Sequence, residues 1–352
     1  MFRKWMKNRW MVLAALVMAG VLTGCSGNVT TSVEQAIDDI QNTKASSDGS
    51  IQMDDVILKV GDESVTYREV LFYIYQAVNH FETNLDDDVW DIKLEDGITF
   101  NNYTKEGIMK ELTELKIIGQ EAAGEGISLS EDEMVDVRQQ AKAFLSSISE
   151  KDKEIYGFEE GLLIKIYADH ALANKMFDVT TGKVDTSISD EEVRQYSIQY
   201  LKISTMKNDE DGKEMVMSDE EKKQALKKAK ALYKSVKKTD DFYSLAKENT
   251  DDDTVELKFG IQDKPEEFGD AAMRLKTGET SEVITGDTGY YIIYCVSDNE
   301  EDAAREKKEE IIKARQDAVF EKSYTEWSGN YKVVVSTKLW KKLTMKGFKE
   351  GL

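Results

Sequence analysis

The chain of 352 residues is poor in proline, cysteine, histidine and positive charge, and each shortage excludes something. There is one proline, Pro265, so the chain has almost no prolyl bond of its own to isomerise. The only histidines, His80 and His170, follow apolar helical runs. A metal site needs further ligands at set spacing, and no cysteine or paired histidine supplies them, so no metal is expected and both read as packed or surface residues. Asp86-Asp87-Asp88 and Asp251-Asp252-Asp253 lack the glycine and distal glutamate of a dedicated calcium loop and read as solvated acidic turns. No glycine-rich phosphate loop, nucleophile elbow or zinc motif is present, and no cofactor is expected. Lysine and arginine number 47 against 68 acidic residues, a formal charge of −21. Phosphate backbones demand basic patches, so nucleic acid is excluded as a partner. The same charge opposes adhesion to anionic lipid.

What is present begins with the first residues. Arg3, Lys4, Lys7 and Arg9 precede an apolar run, Met11–Val21, of about eleven residues, short of the roughly 20 that span a hydrocarbon core. A charged start, a short apolar stretch and small residues at its end describe an export signal. The run closes on Leu22-Thr23-Gly24-Cys25, which resembles a bacterial lipobox. That resemblance implies cleavage before Cys25 and a diacylglyceryl lipid on its thiol, holding the chain on the outer face of a bacterial plasma membrane. Two acyl chains anchor firmly where one binds marginally. The other reading is an ordinary signal peptide with an incidental cysteine. Lipidation of Cys25 leaves only Cys295, so the mature chain has no internal disulfide; Cys295, in an apolar run, reads as a small core residue.

Composition then divides the rest. Residues 26–55, rich in Ser, Thr, Asn, Asp and Gly, cannot bury enough apolar surface to order themselves and read as a tether. Val56–Val60 reads as a strand, with a turn at Gly61-Asp62. Thr66 with Glu69, Ser130 with Glu133, Ser189 with Glu192 and Ser218 with Glu221 each have the spacing of a capping box that opens a helix. Residues 66–177 read as wholly helical, with apolar faces such as Val70, Leu71, Ile74 and Val78 that need one another for a core. Phe72, Tyr73, Tyr75, Phe81 and Trp90 read either as core or as an adaptable cradle for unfolded chains. From Arg194 the period changes to two, and the order becomes β-α-α-β-α-β, with strands at 199–204, 255–261 and 290–296 and helices at 225–236, 242–249 and 270–275. A long helix, 303–327, leads to Val333–Val335, a strand that needs a partner; the unpaired Val56–Val60 is the candidate.

The segment 196–298 resembles the parvulin type of peptidyl-prolyl isomerase. The residues that carry the resemblance are Glu267-Phe268-Gly269-Asp270-Ala271-Ala272-Met273-Arg274-Leu275-Lys276-Thr277-Gly278-Glu279-Thr280-Ser281, then Gly289-Tyr290-Tyr291-Ile292-Ile293, with Asp241–Ala246 before them. A helical part on one side and a returning C-terminal helix on the other resemble the extracytoplasmic foldases PrsA and SurA. The fold expected is therefore α+β: a SurA-N-like helical chaperone domain, 56–195, completed by 299–352 from the other chain end, with an inserted parvulin-like domain at 196–298, behind the leader at 1–25 and the tether.

Family resemblance implies a reaction without covalent steps: an apolar cup grips the prolyl ring while polar groups favour the twisted amide. It implies Tyr200 and Tyr291 at the positions of two histidines, with Phe268 and Ser281 retained and Met273 in the cup. The family's acidic or cysteine position falls near Lys258, and a methionine position near Lys264. Tyr200, Tyr291 and Ser281 are thus the candidate catalytic residues, and Phe268, Met273 and Lys258 the candidate substrate contacts. Tyrosine hydroxyls can donate and accept hydrogen bonds, as replacements for imidazoles; the same tyrosines also fit as plain core aromatics. The implied function is a lipid-anchored foldase for exported polypeptides with peptidyl-prolyl cis-trans isomerase activity at degenerate positions. The rival readings are a non-catalytic holdase, and a solute-binding lipoprotein of a transporter, which requires two lobes of alternating strands and helices.

Overall fold

The computed structural model describes residues 51–83, 85–95 and 97–350. The export signal, the lipobox at Cys25 and most of the tether lie outside the described residues. The chain divides into two compact units, residues 1–183 with 317–352, and residues 184–316.

In the first unit, β1 (Val56–Val60) pairs antiparallel with β2 (Glu63–Thr66) and, on its other edge, with β9 (Val333–Val335) from the far end of the chain. The register is Leu58 opposite Val335 and Val60 opposite Val333. Gly61 turns β1 into β2 at φ 58°, a conformation that glycine adopts without steric cost. Helices follow: α1 (Tyr67–Phe81), α2 (Phe100–Gly124), α3 (Glu131–Ser147), α4 (Glu150–Tyr156) and α5 (Glu160–Thr181). Between α1 and α2 lie a 3-10 turn, Asp87–Asp91, and a single bridge from Lys93 to Thr99. This run of helices has none of the strand–helix alternation that a solute-binding lobe requires.

Of the four capping boxes, Ser130–Glu133, Ser189–Glu192 and Ser218–Glu221 are reciprocal, whereas at Thr66 only half forms. Thr66 accepts from the Glu69 backbone N–H at 3.3 Å, but the Glu69 carboxylate turns inward. There it accepts from Lys116 at 2.7 Å and Lys165 at 2.9 Å, and Lys116 also donates to Asp169 at 2.6 Å. A buried charge must be paired, and this demand outweighs a cap worth about 1 kcal/mol.

The aromatic residues of α1 are core rather than cradle. Phe72, Tyr73 and Trp90 are buried, and Tyr75 and Phe81 pack half-buried against the same cluster. Phe72 meets Tyr73, Phe144, Phe158 and Tyr167 edge-on, the arrangement aromatic quadrupoles favour. The C-terminal segment closes this core. Phe348 stacks on Tyr156 at 4.6 Å, and the Asp87 side chain accepts from the Gly347 backbone, 260 residues away in sequence, at 3.0 Å. Lys346 pairs with Asp88 and Asp91, so the first acidic triplet is a docking site for the chain end rather than a solvated turn.

The second unit opens with the short helix α6 (Asp190–Val193) and holds a four-stranded antiparallel sheet in the order β6-β3-β8-β7. Its strands are β3 (Gln195–Ser204), β6 (Glu256–Gly260), β7 (Ile284–Thr285) and β8 (Gly289–Ser297). Alternation on β3 sends Leu201 and Ile203 to one face, where α7 (Asp219–Val236) and α8 (Phe242–Asn249) cover them. Tyr196, Ile198 and Tyr200 go to the other, toward the short helix α9 (Gly269–Ala272). A hairpin of β4 (Met206–Asn208) and β5 (Glu214–Val216) stands where the polar sequence reads as a loop. Helix α10 (Glu301–Ser328) crosses from the second unit into the first. After β9 come a short helix, α11 (Thr337–Trp340), and a final 3-10 turn, Phe348–Glu350. No helix among the described residues is long and apolar enough to cross a membrane.

Candidate functional site

On the α9 face of the second sheet, register places the two tyrosines. Tyr200 on β3 lies opposite Ile293 of β8, and Tyr291, two residues before Ile293, lies opposite Lys202. Side chains two apart on a strand share a face, so Tyr200 and Tyr291 are diagonal neighbours. Phe268, at the start of α9, fills the space between them. Its ring centroid lies 5.3 Å from that of Tyr200 and 4.9 Å from that of Tyr291. Ile198, Phe259, Ala272 and Ile293 complete the buried cluster, and Met273 packs half-buried against it. Tyr200, Phe268, Met273 and Tyr291 are thus brought together.

Both hydroxyls end on carboxylates. Tyr200 donates to Asp252 Oδ2 at 3.1 Å. Tyr291 lies 3.0 Å from Thr288 Oγ1, which donates to Glu267 Oε1 at 2.8 Å. Burial, the negative charge of Asp252 and that hydrogen bond push the Tyr200 phenol up to about 12. Burial and Glu267 raise the Tyr291 phenol well above its ordinary value. For Glu267, burial pushes the carboxyl up, but the Tyr291 and Thr288 hydroxyls and the Thr288 backbone N–H outweigh it and leave the carboxyl below its usual range. Lys202 sits over the Tyr291 ring, 5.9 Å from its centroid.

The loop after α8 holds Asp252 in place. The Asp251 backbone donates to Lys202 O at 2.8 Å, and Asp251 Oδ2 accepts from the Ser204 backbone at 2.9 Å. Thr250 Oγ1 accepts from the backbone N–H groups of both Lys202 and Asp252. These bonds lace the Asp251-Asp252-Asp253 triplet to the edge of β3, so it too is not a free acidic turn.

Two site expectations are corrected. Lys258 does not enter the cluster: on β6 it faces away from Leu257 and Phe259, is 70% exposed at its side chain, and pairs with Glu300 at 3.5 Å. The charge beside Tyr200 is instead negative, that of Asp252, six residues earlier. Counting residues into β6 missed it; the acidic triplet just after α8 was the signal that marks it. Ser281 is buried, but its hydroxyl is committed to the main chain. It donates to Glu282 O at 2.7 Å and accepts from the Ile293 backbone at 2.9 Å, which fastens its segment to β8. Lys264, read near a methionine position, instead pairs with Asp270.

The remaining candidates are structural. Cys295 is fully buried, and burial pushes its thiol up to about 11. His170 meets the Tyr73 hydroxyl at 3.0 Å inside the first unit, where burial lowers its imidazole to about 4 and keeps it neutral.

Known proteins resemble this chain in the second unit and beyond it. Residues 206–297 match the Rotamase family, described as the PPIC-type PPIase domain. The match takes in Asp252, Glu267, Phe268, Met273 and Tyr291 and begins just after Tyr200. The foldase protein PrsA of Caldanaerobacter subterraneus subsp. tengcongensis is 25% identical over 290 residues, 74% of this chain and 85% of that protein. The PrsA foldase of Geobacillus sp. (strain WCH70) is 28% identical over 170 residues, 45% of this chain and 57% of that protein. The solved structure of peptidylprolyl isomerase (PrsA) from Bacillus cereus aligns over 74% of this chain and 96% of its own, at 20% identity and a TM-score of 0.31. The chain carries a PPIC-type PPIase domain over residues 206–297 and is similar to PrsA foldase proteins.

Proposed function

We propose that the chain is a lipid-anchored extracytoplasmic foldase whose second unit isomerises X–Pro bonds, with Tyr200, Tyr291, Asp252 and Phe268 as the working residues. Rotation about an X–Pro bond is slow because resonance holds the amide planar, with negative charge on oxygen and positive on nitrogen. Twisting the bond removes both partial charges. Groups that offer only lone pairs near the carbonyl oxygen raise the planar form more than the twisted one, and that difference is catalysis. The observation that carries this reading is that both phenolic protons beside Phe268 are committed to chains ending on carboxylates. Export and anchoring through Cys25 rest on the leader sequence and its lipobox-like end. The clients are then exported polypeptides that fold beside the membrane.

The test is isomerisation of short X–Pro peptides by the full chain, across several X residues, beside the Tyr200→Phe/Tyr291→Phe double variant. Activity in the wild type that falls by about tenfold or more without the hydroxyls supports the reading. Equal activity in both would falsify it. The packing of Phe268 between the two rings favours a second reading, a holdase in which this cluster is only core. That reading expects aggregation suppression by both proteins and isomerisation by neither.

A further inference from the structure

Beyond the tyrosines, the cluster contains a second acid, Glu267, which opens the parvulin-like motif yet has no expected role in it. Glu267 immediately precedes Phe268, and Oε1 accepts from both the Thr288 hydroxyl and the Thr288 backbone N–H. Its other oxygen, Oε2, is buried and has no hydrogen-bond partner. It lies against Gly286, where a Cβ would stand 2.4 Å from Oε2 and 2.9 Å from the Tyr291 ring. Only a residue without a side chain leaves room there for the carboxylate. An unpaired buried acceptor costs about 1–3 kcal/mol, so the fold tolerates a penalty to keep this acid beside Tyr291.

The hydrogen inventory then fixes a direction. A threonine hydroxyl has one proton, and Thr288 gives it to the Glu267 carboxylate. Thr288 Oγ1 therefore accepts from Tyr291, whose own single proton is drawn into the chain Tyr291→Thr288→Glu267. We infer that Glu267 is a positioning residue for Tyr291: acting through Thr288, it turns the phenolic proton away, so that Tyr291 meets a bound prolyl segment as an acceptor. This inference rests on the isomerase reading and adds a residue to it. With glutamine at 267, the amide oxygen takes the place of Oε1, because the Thr288 backbone N–H requires an acceptor there, and the charge that draws the Thr288 and Tyr291 protons is lost. The shape of the site stays while its pull on the phenolic proton weakens.

The experiment uses the full chain purified in detergent, with tyrosine labelled by carbon-13 at Cζ and Tyr291→Phe assigning the resonance. In Glu267→Gln we expect kcat to fall about tenfold with KM within about twofold of wild type. The Tyr291 ionisation should move down toward 10.0, though burial keeps it above that value. Glu267→Asp, which keeps the charge, should recover part of kcat, and Gly286→Ala, which displaces the carboxylate, should behave like Glu267→Gln. Near-UV circular dichroism identifies any variant that fails to fold, and Thr288→Val then gives the same two readouts with the charge retained. An unmoved Tyr291 ionisation in Glu267→Gln overturns the inference, whatever happens to kcat. If the wild-type chain isomerises nothing, the isomerase reading falls, and the Tyr291 ionisation still decides whether Glu267 directs that hydroxyl.

Discussion

The two units both hold carboxylates wholly or partly buried, and they treat them in opposite ways. In the first unit, Glu69 and Asp169 are met by ammonium groups: Lys116 reaches both, and Lys165 reaches Glu69. In the second, Asp252 and Glu267 are met by hydroxyls, through Tyr200 in one case and Thr288 and Tyr291 in the other. A carboxylate neutralised by lysine is fixed and has no more to offer, whereas one capped by a hydroxyl leaves a polarised oxygen behind. The first arrangement holds helices together. The second, in the isomerase proposed above, sets the electrostatics that a prolyl amide would meet.

The sharpest way to break the comparison is to remove the cation. Lys116→Met leaves Asp169 without its lysine and Glu69 with Lys165 alone, and should cost about 3 kcal/mol in a denaturant titration. Peptide isomerisation should be unchanged, because the sheet that carries the tyrosines belongs to the other unit. Next in size, Asp252→Asn keeps the shape beside Tyr200 but removes the charge. We expect kcat for X–Pro peptides to fall about tenfold, or about 1.4 kcal/mol, with little change in the denaturation midpoint.

A smaller effect appears at alkaline pH. Folded Tyr200 keeps its proton up to about 12, whereas in the unfolded chain a phenol loses it near 10.0. Stability contributed below pH 10 is therefore lost as the pH rises from 10 toward 12, because the unfolded state sheds its proton first. Denaturant midpoints on either side of that interval measure the loss, and Tyr200→Phe should reduce it. The smallest effect is expected at Lys258. Lys258→Ala should change stability by no more than about 0.5 kcal/mol and leave isomerisation unaltered, since its side chain faces solvent. A clear loss of activity there would restore the cationic site that the sequence alone suggested.

Much of the fold was legible because it rests on local periodicity. Strand β1, helix α8 and strand β9 stand where spacing puts them, and the α+β division into a helical unit made from both chain ends and an inserted parvulin-like unit holds. The misses have particular causes. The Thr66 box is half-formed because Glu69 has a stronger partner that is remote in sequence. The β4–β5 hairpin has strands of only three residues each, too short for alternation to reveal it. At the site, Tyr200, Phe268 and Tyr291 sit on well-patterned segments and could be found. Asp252 could not, because it lies in the irregular stretch between α8 and β6, where no period of two or 3.6 tells which way a side chain faces. Glu267 and its space beside Gly286 depend on a contact made only in three dimensions.

The pairing of β1 with β9 also sets a timetable. A chain that emerges amino end first presents Val56–Val60 early, yet its edge partner Val333–Val335 arrives almost last. The inserted unit draws its described strands from residues 184–316 and can close its sheet before β9 is made. Contacts so distant in sequence are slow to form, and domains within a chain tend to fold as units. The isomerase-like unit should thus be complete before the helical unit, so truncating residues 333–352 should leave the sheet of the second unit folded and the first unit unfinished.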